Sequence, residues 1–190
     1  MKNNNQEPVA STQTFSTRRM VYCAMFAALL CIGAYISIPL PLPGAPHITM
    51  INFILFIIAL LFEPVDSILI VMIWLILGTV GVPVFIGGKG GLGYLIQPWG
   101  AYTWAFPVVA AVLPFIRGRK YNRVWYTICA LIGFVLIDVI GMVYLKIMMH
   151  YDWLTAFNIG FLPFVPLDAL KAVVAAQVIP AFKKVMRTEE

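Results

Sequence analysis

The chain has 190 residues, of which 62% are hydrophobic and only 11% charged, with a mean hydropathy of +0.91. A water-soluble domain usually carries about 25% charged residues, so a soluble globular fold is excluded and a single all-α bundle in a lipid bilayer is implied. The formal net charge of +5 would suit nucleic acid in a soluble protein, but its placement along the chain is explained by the membrane, and no nucleic-acid partner is expected.

Residues 1–19, "MKNNNQEPVASTQTFSTRR", form a polar tail without a short apolar region and small-residue cleavage site, so no signal peptide is expected. Residues 20–184 then form one transmembrane domain, and 185–190 a C-terminal tail. Six apolar segments lie near 20–40, 48–62, 66–83, 98–116, 124–149 and 161–182. A helix needs about 20 residues to cross the hydrocarbon core. The second segment is short, which predicts a tilted or thinned region there, or a shifted boundary. In the first segment Ala24 and Ala28 are four apart, with Ala27, Gly33 and Ala34 nearby. Small residues at that spacing let another helix approach closely, whether internal or a partner's. Cys23, Cys31 and Cys129 sit in apolar runs with no C-x-x-C pair, so they read as small buried hydrophobes and no metal site is expected.

The connections sort by charge. Arg18 and Arg19 precede the first helix, Arg117, Arg119, Lys120 and Arg123 separate the fourth and fifth, and Lys183, Lys184 and Arg187 follow the sixth. The positive-inside rule makes all three clusters, and both termini, cytoplasmic. The connection between the third and fourth helices then faces outward. Within it, Gly88, Gly90 and Gly93 spell G-x-G-x-x-G, but a membrane helix precedes them where a dinucleotide site needs a strand. Lys89 is followed by Gly90 rather than Ser or Thr, which removes a P-loop as well. The glycines permit close backbone approach. Interleaved with Phe85, Leu92, Tyr94, Leu95, Trp99 and Tyr102, they suggest the lid or half of a pocket rather than a solvated linker.

Asp138 and Lys146 lie in the fifth segment, and Asp168 and Lys171 in the sixth. Each charge near a helix centre costs roughly 2.5–3.5 kcal/mol on insertion scales, so such residues face the interior and have partners. Asp168 and Lys171, at i and i+3, share a face and can neutralise each other. All four could meet under the glycine loop and offer cations to a carboxylate and carboxylates to N–H donors. The alternative is a set of salt bridges that lock the bundle, with Lys146 reaching outward to the interface.

Several ordered motifs resemble one family. "GTVGVPVF" fits a G-x-x-G-x-P-V-F pattern through Gly78, Gly81, Pro83, Val84 and Phe85. Gly87, Gly88, Gly90 and Gly91 fit a glycine-rich stretch, and Pro98, Gly100, Tyr102 and Phe106 fit G-P-T-G-G-Y-x-x-x-F. Thr49 matches the threonine of a Pro-x-Thr that ends the proline-rich entry to the second helix, spaced here as Pro46-x-x-Thr49, and Pro166, Asp168, Lys171 and Ala172 fit P-x-D-x-x-K-A. Over residues 20–184 the chain resembles the BioY family, the biotin-specific substrate-binding subunits of energy-coupling-factor transporters. It departs at Gln97, Trp99 and Ala101, and carries Ile51 and Asn52 where a glutamine is expected.

The resemblance implies a six-helix subunit of the cell membrane that captures biotin from outside, in which Asp168 and Lys171 help bind the ligand. It implies a transmembrane coupling protein and two ATPases as partners, and raises Ala24 and Ala28 as the face that meets the coupling protein. No cofactor and no ATP site of its own are expected. Chemically, Lys171 or Lys146 would pair with the ligand carboxylate, Asp168 or Asp138 would accept its ureido N–H groups, and Trp99, Tyr94 or Tyr102 would cover its ring. Gly91 and Thr49 complete the candidate pocket. The competing readings are a subunit for another vitamin such as lipoate, a non-transporting assembly subunit, and a membrane enzyme. For the last, His47 and His150 offer no H-E-x-x-H, and no G-x-S-x-G is present.

Overall fold

A computed structural model describes residues 17–39 and 47–188. The first 16 residues of the expected polar tail, the proline-rich run 40–46 and the last two residues lie outside the described residues. The protein is mostly helical. In chain order come α1 (Thr17–Gly33), β1 (Ser37–Pro39), β2 (His47–Thr49), α2 (Ile51–Leu61), α3 (Pro64–Thr79), α4 (Leu92–Leu95), a 3-10 turn (Pro98–Gly100), α5 (Ala101–Arg117), α6 (Arg123–Met149), α7 (Trp153–Gly160) and α8 (Val165–Thr188). Among the described residues three helical stretches are long and apolar enough to cross a membrane: Pro98–Arg117, Arg123–Met149 and Val165–Met186.

The longest helix is started by its sequence: Asn122 Oδ1 accepts from the amides of Val124 and Trp125, capping α6. It stops at His150, whose φ of 53° is left-handed. The first apolar segment behaves differently from its composition. Its helix ends at Gly33 rather than at 40. The chain enters instead an antiparallel hairpin in which Ser37 pairs with Thr49, Ile38 with Ile48 and Pro39 with His47. The last segment also starts later than 161, at Val165, behind the short α7, whose first amides are capped by Asp152.

The short second segment has a physical answer. α2 has 11 residues, about 16 Å of helix. Ile51 and every residue from Leu55 to Leu60 are buried, so α2 lies in the middle of the bundle against α1, α5 and α8. A helix enclosed by other helices has no need of a full bilayer's length. Its own Phe56, with Phe26, Trp74, Phe85 and Phe106 from the surrounding elements, fills the core.

One end of the bundle gathers the basic clusters. Arg18 donates to the carbonyl of Met186 at 2.6 Å, Arg19 pairs with Asp66 at 2.7 Å, and Lys183 donates to the Tyr126 hydroxyl at 3.0 Å. Arg117, buried, donates to the carbonyl of Phe62 at 2.7 Å, where α2 has run out of amide partners. At the opposite end the glycine-rich loop is fastened over α3. Trp74 Nε1 donates to the carbonyl of Val84 at 2.9 Å, and the Phe85 ring rests where a Cβ on Gly78 would lie 2.2 Å away.

Candidate functional site

A cavity of about 270 Å³ opens at that end, between the hairpin, the glycine loop and the adjoining turns of α5, α6 and α8. Its floor is acidic. Asp168, in the first turn of α8, accepts from Asn52 Nδ2 at 2.8 Å through one carboxyl oxygen and from Lys171 Nζ at 2.7 Å through the other. Lys171 spends a second donor on the carbonyl of Thr49, at 2.8 Å. It therefore stands behind Asp168 and braces the floor rather than lining the cavity. Asp138, 1% exposed on α6, faces the same space. Its Oδ2 has no hydrogen-bond partner among the described residues. A buried acceptor left unmade costs about 1–3 kcal/mol, so this oxygen is a place for an incoming N–H.

The wall is aromatic. The Trp99 and Tyr102 rings stack with centroids 5.9 Å apart, and Phe164 meets both, at 6.3 and 5.7 Å. Tyr102 donates its hydroxyl to the carbonyl of Gly160. The ring fits because α6 has no side chain at Gly141, where a Cβ would lie 2.2 Å from it. Tyr94 closes another side. Stacked on Phe85 at 5.0 Å, its phenol is pushed up to about 12 by burial, so it stays a neutral donor.

The rim carries groups that the sequence reasoning did not select. Lys89 lines the cavity from the glycine loop, and His47 and Gln97 lie beside it. His47 Nδ1 is 3.2 Å from Ser37 Oγ, and its ring is pressed against Gly87. Burial first, and then the Lys89 charge, hold its pKa below the ordinary 6.5. Asn52 had a visible signal: it stands where the resembling family carries a glutamine, and an amide keeps the same donor.

Of the expected residues, Asp168, Asp138, Thr49, Tyr94, Trp99 and Tyr102 line one cavity. Lys146 does not join them. Eight residues beyond Asp138, it is turned about 80° around the helix, and its ammonium lies 4.7 Å over the Trp153 ring. Gly91 is also outside the lining. With φ 88° it gives its amide to the carbonyl of Gly78 at 2.6 Å, tying the loop to α3. Ala24 and Ala28 are exposed on α1, opposite its buried face of Cys23, Phe26, Ala27 and Leu30. Among the described residues no three metal-ligating side chains cluster.

The chain is similar to known proteins over most of its length. Residues 4–188 match the model of the BioY family. A Thermotoga maritima protein named "Biotin transporter BioY" is 34% identical over 167 residues, 88% of this chain and 96% of its own. A Pyrococcus horikoshii protein named "Probable biotin transporter BioY" is 35% identical over 152 residues, 80% of this chain and 88% of its own. The fold matches, with a TM-score of 0.79 and 22% identity, a solved structure described as the S-component for biotin from an ECF-type ABC transporter, covering 92% of this chain and 95% of that one. With the family model matched from residue 4 to residue 188, the chain belongs to the BioY family.

Proposed function

We propose that this chain is the membrane-embedded, biotin-binding subunit of an energy-coupling-factor importer, and not an enzyme. The observation that carries the reading is the cavity floor, where the unpartnered Asp138 oxygen lies beside the braced Asp168 under an aromatic wall. Biotin is a carboxylate on an apolar chain joined to a fused ureido–thiophane ring. Asp138 and Asp168 accept the ureido N–H groups, which are worth more as charge-assisted bonds than as neutral ones. Trp99, Tyr102 and Tyr94 cover the bicycle, and Lys171, through Asp168 and Thr49, keeps the floor in place.

The chain crosses the plasma membrane six times, α1, α2, α3, α5, α6 and α8 serving as the crossings, with residues 20–184 as one domain. The three basic clusters face the cytoplasm and the cavity faces out, as the positive-inside rule requires. A coupling protein and two ATPases supply the energy, and the exposed Ala24 and Ala28 offer the coupling protein a face of small residues.

Isothermal titration of the detergent-solubilised protein with biotin and lipoate is the direct test. Biotin binds tightly, lipoate weakly if at all, and Asp138→Ala and Asp168→Ala each lose about tenfold or more. Unchanged biotin affinity in both variants would sink the assignment. Preference for lipoate would redirect it to the wall at Trp99, where the chain leaves the family pattern.

A further inference from the structure

We propose that the basic end of the bundle holds an anionic phospholipid, its phosphodiester seated on Lys183 in front of the buried Arg117. The inference goes beyond ligand capture and uses no residue of the cavity at the opposite end. It starts from an imbalance of charge. Arg117 is 4% exposed, yet it donates to neutral oxygens alone: the carbonyls of Phe62 and Gly118, at 2.7 and 3.1 Å, and the Tyr126 hydroxyl, at 3.1 Å. Its Nε is buried with no partner among the described residues. Lys183, from α8, donates to that same hydroxyl at 3.0 Å. Two cations thus converge on one oxygen, and among the described residues no carboxylate pairs with either. The acids at this end are turned to α1, where Asp66 pairs with Arg19 and the exposed Glu63 adds its charge to the same guanidinium. Like charges held close in a poorly solvated place repel, and an anion between them relieves the repulsion.

The shared tyrosine cannot supply that balance. Its hydroxyl accepts from both cations and turns its own proton toward the Gly118 carbonyl at 3.4 Å. Its ring centre lies 6.0 Å from the Arg117 guanidinium carbon and 5.0 Å from the Lys183 ammonium, a favourable placement that carries no net charge. An ammonium has three donors, so the half-buried Lys183 keeps two for an incoming anion. The neighbouring connection is held in place. Tyr121, edge-on to Tyr126 at 4.8 Å, donates to the Ala176 carbonyl of α8 at 3.2 Å. This fastens residues 118–122 to α8, so the exposed Arg119 and Lys120 strengthen the same positive field. The flanks favour a lipid over a free anion. Phe115, Val124 and Trp125 are exposed on α5 and α6, and Trp125 Nε1 donates to the Ile116 carbonyl at 3.0 Å. Acyl chains follow such a surface while the headgroup meets the cations. The leaflet that the positive-inside rule gives to this end is also the anionic one.

The test follows the melting temperature of the full-length protein in detergent against added phosphatidylglycerol, phosphatidylcholine or inorganic phosphate. Phosphatidylglycerol raises it in a saturable way, and the other two do not. Lys183→Met needs about tenfold or more phosphatidylglycerol for half the shift, the value of a hydrogen bond to a charged group, whereas Lys183→Arg responds as the wild type does. An unchanged helical circular dichroism spectrum shows that each variant is folded. Lys146→Met, at the opposite end of α6, leaves the response unaltered. An equal rise with phosphatidylcholine removes the headgroup from the site, and an equal rise with inorganic phosphate assigns it to a free anion; either overturns the proposal. So does an unchanged response in Lys183→Met. Biotin titration of the same preparations reports on the other end of the molecule, so failure here leaves the reading of the cavity standing.

Discussion

At Gly141 a single methyl group decides the shape of the cavity. Its Cβ would lie 2.2 Å from one ring carbon of Tyr102 and 2.3 Å from the next. The ring is held by the Gly160 carbonyl on one side and Trp99 on the other, so it cannot retreat cheaply. Gly141→Ala is expected to cost about 1–3 kcal/mol of stability and to weaken ligand binding, read by thermal melting and titration of the same preparation. An unchanged melting point would mean that the ring moves freely. His47 gives a second prediction at this scale. Its folded pKa lies below the 6.5 of the unfolded chain, so on acidification the unfolded chain takes up the proton first. Stability is full above 6.5 and declines as pH falls through that value toward the lower folded one. His47→Gln removes this slope, and melting temperatures taken between about pH 7.5 and about pH 5.5 show a smaller drop than in the wild type. Legibility in the sequence followed cost. Asp138, Asp168 and Lys171 stood out because a charge in an apolar run demands a partner. The same cost marked Lys146, yet it does not say which way a helix face points, and the 80° turn from Asp138 took it elsewhere. Asn52 and Lys89 lie at an element end and in a loop, where polar residues are cheap and carry no such mark.

Among the elements, the connection from α4 to α5 is the least forgiving. A Cβ on Gly100 would lie 2.0 Å from the carbonyl oxygen of Tyr94 and 3.0 Å from the Leu95 backbone. Backbone cannot rotate aside as a side chain does. Gly100→Ala is therefore expected to destabilise at least as much as Gly141→Ala and to shift Trp99 and Tyr94 together, with loss of ligand binding and faster proteolysis of residues 87–100 as the readouts. Protection equal to the wild type would contradict this. The long elements were legible, because α6 carries both an asparagine cap and an unbroken apolar run. The short ones were not. Hydropathy continues past Gly33, so it concealed the hairpin that follows, and α7 is too brief to separate from its apolar flanks. The shortness of α2 was visible, but its cause, enclosure by α1, α5 and α8, is a tertiary fact.

For the whole molecule, the two faces of α1 assign different duties. Cys23, Phe26, Ala27 and Leu30 hold the bundle, whereas Ala24 and Ala28 are left on its outside. Ala28→Leu is expected to leave biotin affinity and melting temperature within error of the wild type and to reduce co-purification with a coupling protein. A fall in affinity without loss of assembly would place that face inside the binding unit instead. The floor of the cavity has a further consequence, for the order in which the protein comes into being. Its bracing bonds join residues far apart in the chain: Asn52 to Asp168 across 116 positions, and Lys171 to the Thr49 carbonyl across 122. Contacts so distant form late. Chain order alone leaves the central helix α2 without its principal neighbour until α8 has been made. The brace is completed last, so a chain that stops just after Phe164 holds the aromatic wall and Asp138 but lacks Asp168 and Lys171.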